Sequence, residues 1–181
     1  MDDKPHPLVP LTFQFIGQIK MTLFIRAALI LLLSATVLGV SASQLDADKT
    51  AITEIISAIE KGWESGDGRP FHQHYLDHKG ARYIESGGQN TGLSDLVENH
   101  VEPEKEVLKR LTIDILDMDI SVDDDMAWAI TTVNVSGEIR KTGATFDKKG
   151  YQTYLLKRTG TGWKVVHTHS STRDKKPHDH H

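Results

Sequence analysis

The sequence predicts an α+β domain in which N-terminal helices pack on the concave face of a curved antiparallel sheet. Apolar residues recur with the helical period near the start of the domain, whereas a period of two dominates from Leu111 onward. The alternation changes phase inside the first long strand, which predicts a β-bulge and a bend. Helices followed by consecutive strands are typical of α+β domains.

Residues 1–42 are predicted to be an N-terminal extension with a cleavable signal peptide. The apolar run 27–40 is shorter than the roughly 20 residues of a membrane span and fits a signal-peptide core. Small residues before position 43 predict cleavage after Ala42, and Met21 heads a normal signal, so it is a candidate true start. We therefore expect a periplasmic or secreted protein with no membrane attachment after cleavage; the alternative is an uncleaved anchor.

The helices come first in the predicted domain. Residues 47–64 form a helix whose apolar stripe comprises Ile52, Ile55, Ile56, Ile59 and Trp63. Asp46 or Asp48 is the predicted N-cap, and the Gly- and Pro-containing stretch 66–70 ends the helix. A shorter helix is expected over 70–76 and a short strand over 81–85. Residues 93–108 should be helical, with Pro103 splitting or kinking the helix.

The long strands follow, separated by turns. The apolar residues 111, 113 and 115 lie in one phase and 116, 118, 120 and 122 in the other, which predicts the bulge. Asp123–Asp125 is a turn, and strands are predicted over 126–140, 151–158 and 163–170, with turn regions at 142–150 and 160–162. Residues 174–181 are predicted to be a disordered, His-rich tail, which leaves 43–173 as the domain.

Composition excludes several classes of function. The chain has 181 residues and a net charge of -4, so charge gives no argument for nucleic-acid binding. It has no cysteine, which excludes disulfides, thiolate metal sites and a cysteine nucleophile.

Three segments resemble the nuclear transport factor 2-like superfamily. Residues 162–173, Gly-Trp-Lys-Val-Val-His-Thr-His-Ser-Ser-Thr-Arg, resemble its C-terminal strand, and residues 124–129 resemble the start of its hairpin. Residues 75–88 resemble the passage from helix to strand at the mouth of its pocket. The resemblance covers about 47–173 and implies a cone-shaped fold that often pairs through the outer faces of its sheets. It says little about activity, because SnoaL-like cyclases, ketosteroid isomerases and a kinase association domain share this scaffold.

Glu85 is the first residue that the resemblance singles out. It lies at about the position of the carboxylate base of ketosteroid isomerases. Their protonatable Asp has no counterpart in the long strand here, where Asn134 and Ser136 lie instead, so steroid isomerisation is not expected. The structural alternative is that Glu85 merely ends a strand at the surface.

The sequence also resembles secreted members of the superfamily that carry three patterns: Glu-Ser-Gly, His-x-x-x-Glu and His-x-Ser-Ser. The matching residues here are Glu85, the pair His100 and Glu104, and His169. His100 and Glu104 can share a helix face, although Pro103 lies between them. Glu85 and His169 are the candidate catalytic pair, and His169 as a satisfied core histidine is the alternative.

Strand alternation adds further candidates to this pocket. His167 and His169 are expected to face the same side as Trp163 and Val165. We predict that the ligand pocket contains Tyr75, Glu85, His100, Glu104, Trp128, His167 and His169. Such a set could bind a polar ligand or hold zinc or copper.

The remaining histidines are interpreted differently. His178, His180 and His181 could weakly chelate a divalent metal, although ordering a flexible tail limits affinity. A second cluster, His72, His74 and His78, is predicted to lie on the solvent-exposed surface.

The sequence thus favours an exported SnoaL-like domain that binds a small ligand as a homodimer and requires no cofactor. An isomerase- or cyclase-type enzyme using Glu85 or a pocket histidine is the alternative, and periplasmic divalent-metal binding is the weaker one.

Overall fold

The computed structural model of the protein describes residues 42–175. The chain divides into two units, 1–45 and 46–181, and of the first only the helical residues 42–45 are described. Apart from Ala42, the predicted signal segment lies outside the described residues, as do His178, His180 and His181. Cleavage, export and metal binding by the tail therefore stay predictions. Within residues 42–175, no helix has the length and apolar character of a membrane span.

Helices occupy the first part of the larger unit. Helix α1 covers 46–65 and α2 covers Arg69–His74. After the first two strands, α3 (Leu93–Leu96), a π-helical turn (Val97–Val101) and α4 (Glu102–Val107) follow one another without a break. The prediction that Asp46 or Asp48 caps α1 is wrong, because residues on both sides of each are helical.

The sequence predicts that Pro103 interrupts the helix, and in the structure this interruption is a π-helical turn. In a regular α-helix the ring of Pro103 would collide with the carbonyl of Asn99, four residues earlier. The Glu102 N–H instead bonds to the carbonyl of Val97, five residues back. The wider turn accommodates the proline while the helix continues. His100 lies within this turn.

Six strands form one curved, unclosed sheet, which confirms the predicted fold class. They are β1 (Arg82–Glu85), β2 (Gly88–Thr91), β3 (Leu108–Asp123), β4 (Met126–Ile139), β5 (Thr145–Thr159) and β6 (Gly162–Asp174). Their spatial order is β2-β1-β6-β5-β4-β3. All neighbours are antiparallel except β1 and β6, which run parallel.

Three strand predictions are corrected by the pairing. Residues 145–150 were expected to be a turn region but form the start of β5, because β4 pairs with all of them and β6 pairs with residues 148–150. Arg173 and Asp174 continue β6 opposite Lys149 and Lys148, so the strand enters the predicted tail. Strand β2 was not predicted at all.

Two bulges decide which side chains face the helices. In β3 the register passes from Ile115 opposite Val133 to Asp117 opposite Thr132, so Leu116 is the extra residue and the predicted phase change is confirmed. In β6 a second bulge falls at Val166, opposite the step from Leu155 to Leu156.

The bulge at Val166 overturns one sequence-based expectation. Trp163 and Val165 are buried on the inner face, but one extra residue reverses the alternation beyond them. Thr168 pairs with the buried Tyr154 on the inner face, while His167 and His169 lie on the outer face. The prediction that both histidines share a face with Trp163 and Val165 is therefore wrong.

The core lies between α1 and the inner face of the sheet. Its fully buried side chains come from α1, α2, the helix 93–107 and strands β4 to β6, and the largest are Phe71, Ile52, Ile56, Ile59, Leu156, Val97, Val101 and Val165. Burial of each such side chain contributes about 1.5 to 3 kcal/mol. The core leaves part of the inner face open beside β1, β2 and the start of β5.

Candidate functional site

A cavity of about 220 Å³ opens on the inner side of the sheet. Its aromatic walls come from α1, the end of α2, β1 and β5, and they comprise Trp63, Tyr75, Tyr83, Phe146 and Tyr154. Polar side chains from six different elements converge on the same space: Glu85, Asn90, His100, Glu104, Lys148, Gln152, Thr168, Ser170 and Thr172. Apolar walls with a few convergent polar groups are the usual form of a small-ligand site.

His100 connects a carboxylate and an amide on one side of this cavity. Its Nε2 lies 3.4 Å from Oε2 of Glu85, and its Nδ1 lies 2.9 Å from Oδ1 of Asn90. The amide nitrogen of Asn90 faces the carbonyl and carboxylate oxygens of Asp95, at 3.4 and 3.5 Å. The amide therefore presents its oxygen to His100, and Nδ1 donates to it.

This arrangement determines the orientation of the imidazole and places a hydrogen on its Nδ1. Because Nδ1 carries a hydrogen, Nε2 of His100 directs either a lone pair or a second proton toward Glu85. The ring is held edge-on to Trp63, with 4.9 Å between centroids. Glu85 and His100 are therefore close enough to exchange a proton at the cavity wall, and general acid–base chemistry uses side chains that are positioned in this way.

Glu104 adds a second carboxyl to the same wall. Burial and the neighbouring negative charge of Glu85 raise the pKa of Glu104 to about 7. Near neutral pH this group can therefore either donate or accept a proton, beside a histidine and another carboxylate.

A third carboxyl, Glu60, lies behind Tyr154 and is only 3% exposed. The Tyr154 hydroxyl donates a short hydrogen bond to Oε1 of Glu60 and lies 3.2 Å from Oε1 of Gln152. Gln152 also accepts a hydrogen bond from Thr131 at 3.0 Å. Desolvation raises the pKa of Glu60 to about 7, even though its hydrogen bonds act in the opposite direction. Tyr154 thus joins a buried acid to the cavity.

The structure brings four of the predicted pocket residues to the cavity wall: Tyr75, Glu85, His100 and Glu104. Glu85 does end a strand, with its side chain 49% exposed, but it also contacts His100. The roles proposed for these residues in binding and catalysis stay predictions.

The other three predicted residues lie elsewhere or only at the margin. His169 borders the cavity, but it is exposed and its side chain belongs to the outer face of β6. Nδ1 of His167 bonds to the carbonyl of Arg82 at 2.7 Å. Trp128 is 41% exposed on the outer face of β4, because the inner positions of that strand are the odd-numbered residues 127 to 133.

Sequence reasoning missed Glu60, Asn90 and Lys148. A signal for Glu60 was present, since residues 48, 52, 56 and 60 repeat every fourth position and so share the buried face of α1. Asn90 gave no signal because its position depends on β2. Lys148 was missed because it lies in the segment 142–150, which was predicted to be a turn region.

Metal ligands were a second possibility raised by the sequence. Among residues 42–175, no three His, Cys, Asp or Glu side chains are arranged to hold a metal ion.

Comparisons with known structures show that the fold is a known one. A nuclear transport factor 2-like superfamily protein from Salmonella enterica serovar Typhimurium LT2 is similar, with a TM-score of 0.67 and 21% identity, covering 76% of this chain and 99% of its own. The hexachlorocyclohexane dehydrochlorinase LinA-type3 from Novosphingobium barchaimii LL02 gives a TM-score of 0.62 at 18% identity, covering 75% and 92%. A protein from Novosphingobium aromaticivorans with a cystatin-like fold gives 0.61 at 17% identity, covering 76% and 89%. At these identities the likeness shows the fold.

No curated protein matches the sequence. The sequence profile of the SnoaL-like domain, however, matches residues 49–174, which include every strand and almost all of α1. Together with the six-stranded sheet and the structural relatives, this match shows that the chain belongs to the SnoaL-like domain family of the nuclear transport factor 2-like superfamily.

Proposed function

We propose that the protein binds a small, largely apolar ligand about the size of one substituted ring. The observation that carries this proposal is the cavity of about 220 Å³ with its aromatic walls. An engineered apolar cavity of about 150 Å³ takes up benzene, so this cavity has room for a ring with substituents.

Fluorescence of the cavity tryptophan tests this proposal. Neutral single-ring compounds such as acetophenone, benzamide and benzyl alcohol should quench Trp63 saturably, because its indole lines the cavity. The quenching should persist in Trp128→Phe, which changes the outer face, and disappear in Trp63→Phe. Ligand-observed NMR provides the second measurement for Trp63→Phe. Absence of saturable binding by any compound of this set would contradict the proposal, as would quenching that depends on Trp128 instead.

A second candidate function is proton transfer to and from the bound ligand. It is favoured by the contact of His100 with both Glu85 and Asn90, which orients the imidazole toward a carboxylate at the cavity wall. One structural relative is named as a dehydrochlorinase. Removal of a proton from carbon is the simplest reaction that a Glu–His pair supports.

Hydrogen exchange at a weakly acidic carbon tests this second candidate without knowledge of the substrate. In D₂O the protein should accelerate deuterium uptake by the methyl group of acetophenone, as a base removes a proton and the enolate takes up a deuteron. His100→Gln and Glu85→Gln should each slow this exchange about 100-fold. His72→Gln, on the exposed side of α2, is the control. Equal rates in all four proteins would leave the protein as a binder only.

We also propose that two copies pair through the outer face of the sheet. Trp128, Ile130 and Tyr151 are exposed there on adjacent strands, and such apolar patches commonly mark interfaces. Light scattering should then give twice the monomer mass for the wild-type protein. The Ile130→Asp variant should have the mass of a single monomer. A monomeric wild-type protein would refute the pairing.

A further inference from the structure

We propose that the ligand is an acid, and that Lys148 binds its anionic group at one end of the cavity while Glu85 and His100 face its uncharged end. The inference rests on the proposed function and narrows its ligand to a small single-ring compound with a carboxylate or a similar anion. Lys148 thereby becomes a specificity-determining residue.

The strand register separates the two ends. Glu85 is the register partner of Ser170 on β6, whereas Lys148 is the register partner of Asp174 on the same strand. Four residues of a β-strand span about 13 Å. Both side chains line the cavity, so a ring with one substituent at each end can reach both of them.

The second argument is the unused charge of Lys148. Among residues 42–175 it is the one Lys or Arg side chain on the cavity wall, and it is half-buried. Within the described chain no carboxylate forms an ion pair with it, whereas neighbouring Lys175 pairs with Asp147 at 2.6 Å. Its Nζ instead lies 5.9 Å from the centre of the Phe146 ring. Asp174, the cross-strand neighbour, is a carboxylate, but it forms no ion pair with Lys148. A partly desolvated ammonium that forms no ion pair favours binding of an anion.

The charges at the other end orient such a ligand. Glu85 influences the titration of both Glu60 and Glu104, so all three carboxyls lie in one region of the site. An anionic group placed there would be repelled by the ionised fraction of these carboxyls, while the same group beside Lys148 is attracted. An uncharged carbonyl or hydroxyl is then left at Glu85 and His100.

Two probes of nearly the same size and shape, one anionic and one neutral, test the inference. The protein should bind 4-acetylbenzoate at least about ten-fold more tightly than 4-acetylbenzamide in calorimetric titrations, the size expected for one charge-assisted contact. Lys148→Met should remove this preference by weakening benzoate binding, with benzamide binding unchanged. Lys149→Met, next in sequence but on the outer face of β5, is the matched control and should behave as wild type.

The outcomes separate this inference from the proposed function. Equal affinities for the two probes would overturn the inference and leave ligand binding intact, and binding of neither probe would overturn both. A preference that survives in Lys148→Met would show that another group selects the anion. If that variant fails to fold, the salt dependence of the wild type decides: the preference should shrink between 0.05 and 0.5 M salt, and a constant preference would contradict the role of Lys148.

Discussion

Replacing Arg158 by methionine is expected to lower the free energy of unfolding by about 3 kcal/mol, because a buried carboxylate then loses its charged partner. Arg158 binds Asp48 with two parallel hydrogen bonds, Nη1 to Oδ1 at 2.8 Å and Nη2 to Oδ2 at 2.5 Å. The indole N–H of Trp163 donates to the same carboxylate at 3.1 Å. The guanidinium also stacks 4.2 Å above the Trp163 ring.

The two partners differ in burial, which makes the effects of their replacement unequal. The side chain of Asp48 is 7% exposed and that of Arg158 is 35% exposed. After Asp48→Ala the guanidinium can turn toward water, so we expect a smaller loss, about 2 kcal/mol. After Arg158→Met the carboxylate stays within the core, which is the costlier state. Asp48 holds α1 against β5 and β6, so both losses should appear as global unfolding.

Urea denaturation of the single variants and of Asp48→Leu/Arg158→Met measures these changes in the free energy of unfolding. The double variant should be more stable than Arg158→Met alone, because apolar side chains then replace both charges. Lys157→Met, an exposed neighbour on the outer face of β5, should stay within about 0.5 kcal/mol of wild type. An effect of Arg158→Met no larger than that of Lys157→Met would show that the ion pair contributes little.

The sequence predicted the bend in β3 but not the bend in β6, and the reason lies in the residues at each bulge. In β3 the apolar positions 113, 115, 116 and 118 display the change of phase directly. In β6 the adjacent Val165 and Val166 are both apolar, so the pattern does not show which of them faces the core. The faces of His167 and His169 depend on that choice. Single-sequence periodicity therefore cannot assign them.

For a related reason, the sequence predicted only some of the side chains that meet at the site. Glu85, His100 and Glu104 could be predicted because they match motifs of the family that the sequence resembles. Asn90 depends on the β1–β2 hairpin, whose turn has φ of 41° at Ser86 and 93° at Gly87. Positive φ at both central residues is typical of a type I′ turn, where Asn or Asp usually takes the first place, and Ser86 gives no such signal.

Stability should depend on pH through the buried Glu60, and Glu60→Gln should remove that dependence. The pKa of Glu60 is raised from 4.5 to about 7 in the folded protein, mainly by desolvation. The folded state therefore holds this proton more tightly than the unfolded chain. The resulting stabilisation is fully present below pH 4.5 and is lost as pH rises through about 7, a change of about 3 kcal/mol.

Glutamine keeps the size of the side chain and a partner for Tyr154, but it does not titrate. Relative to wild type, Glu60→Gln should therefore gain about 2.5 kcal/mol of unfolding free energy between pH 5 and pH 8, measured by urea denaturation at each pH. Glu104→Gln should act in the same direction but less, because that carboxyl is partly exposed and screened. Glu54→Gln, on the exposed face of α1, is the matched control. Parallel profiles for Glu60→Gln and wild type would mean that Glu60 is ionised throughout, and that Tyr154 donates to a permanent carboxylate behind the cavity.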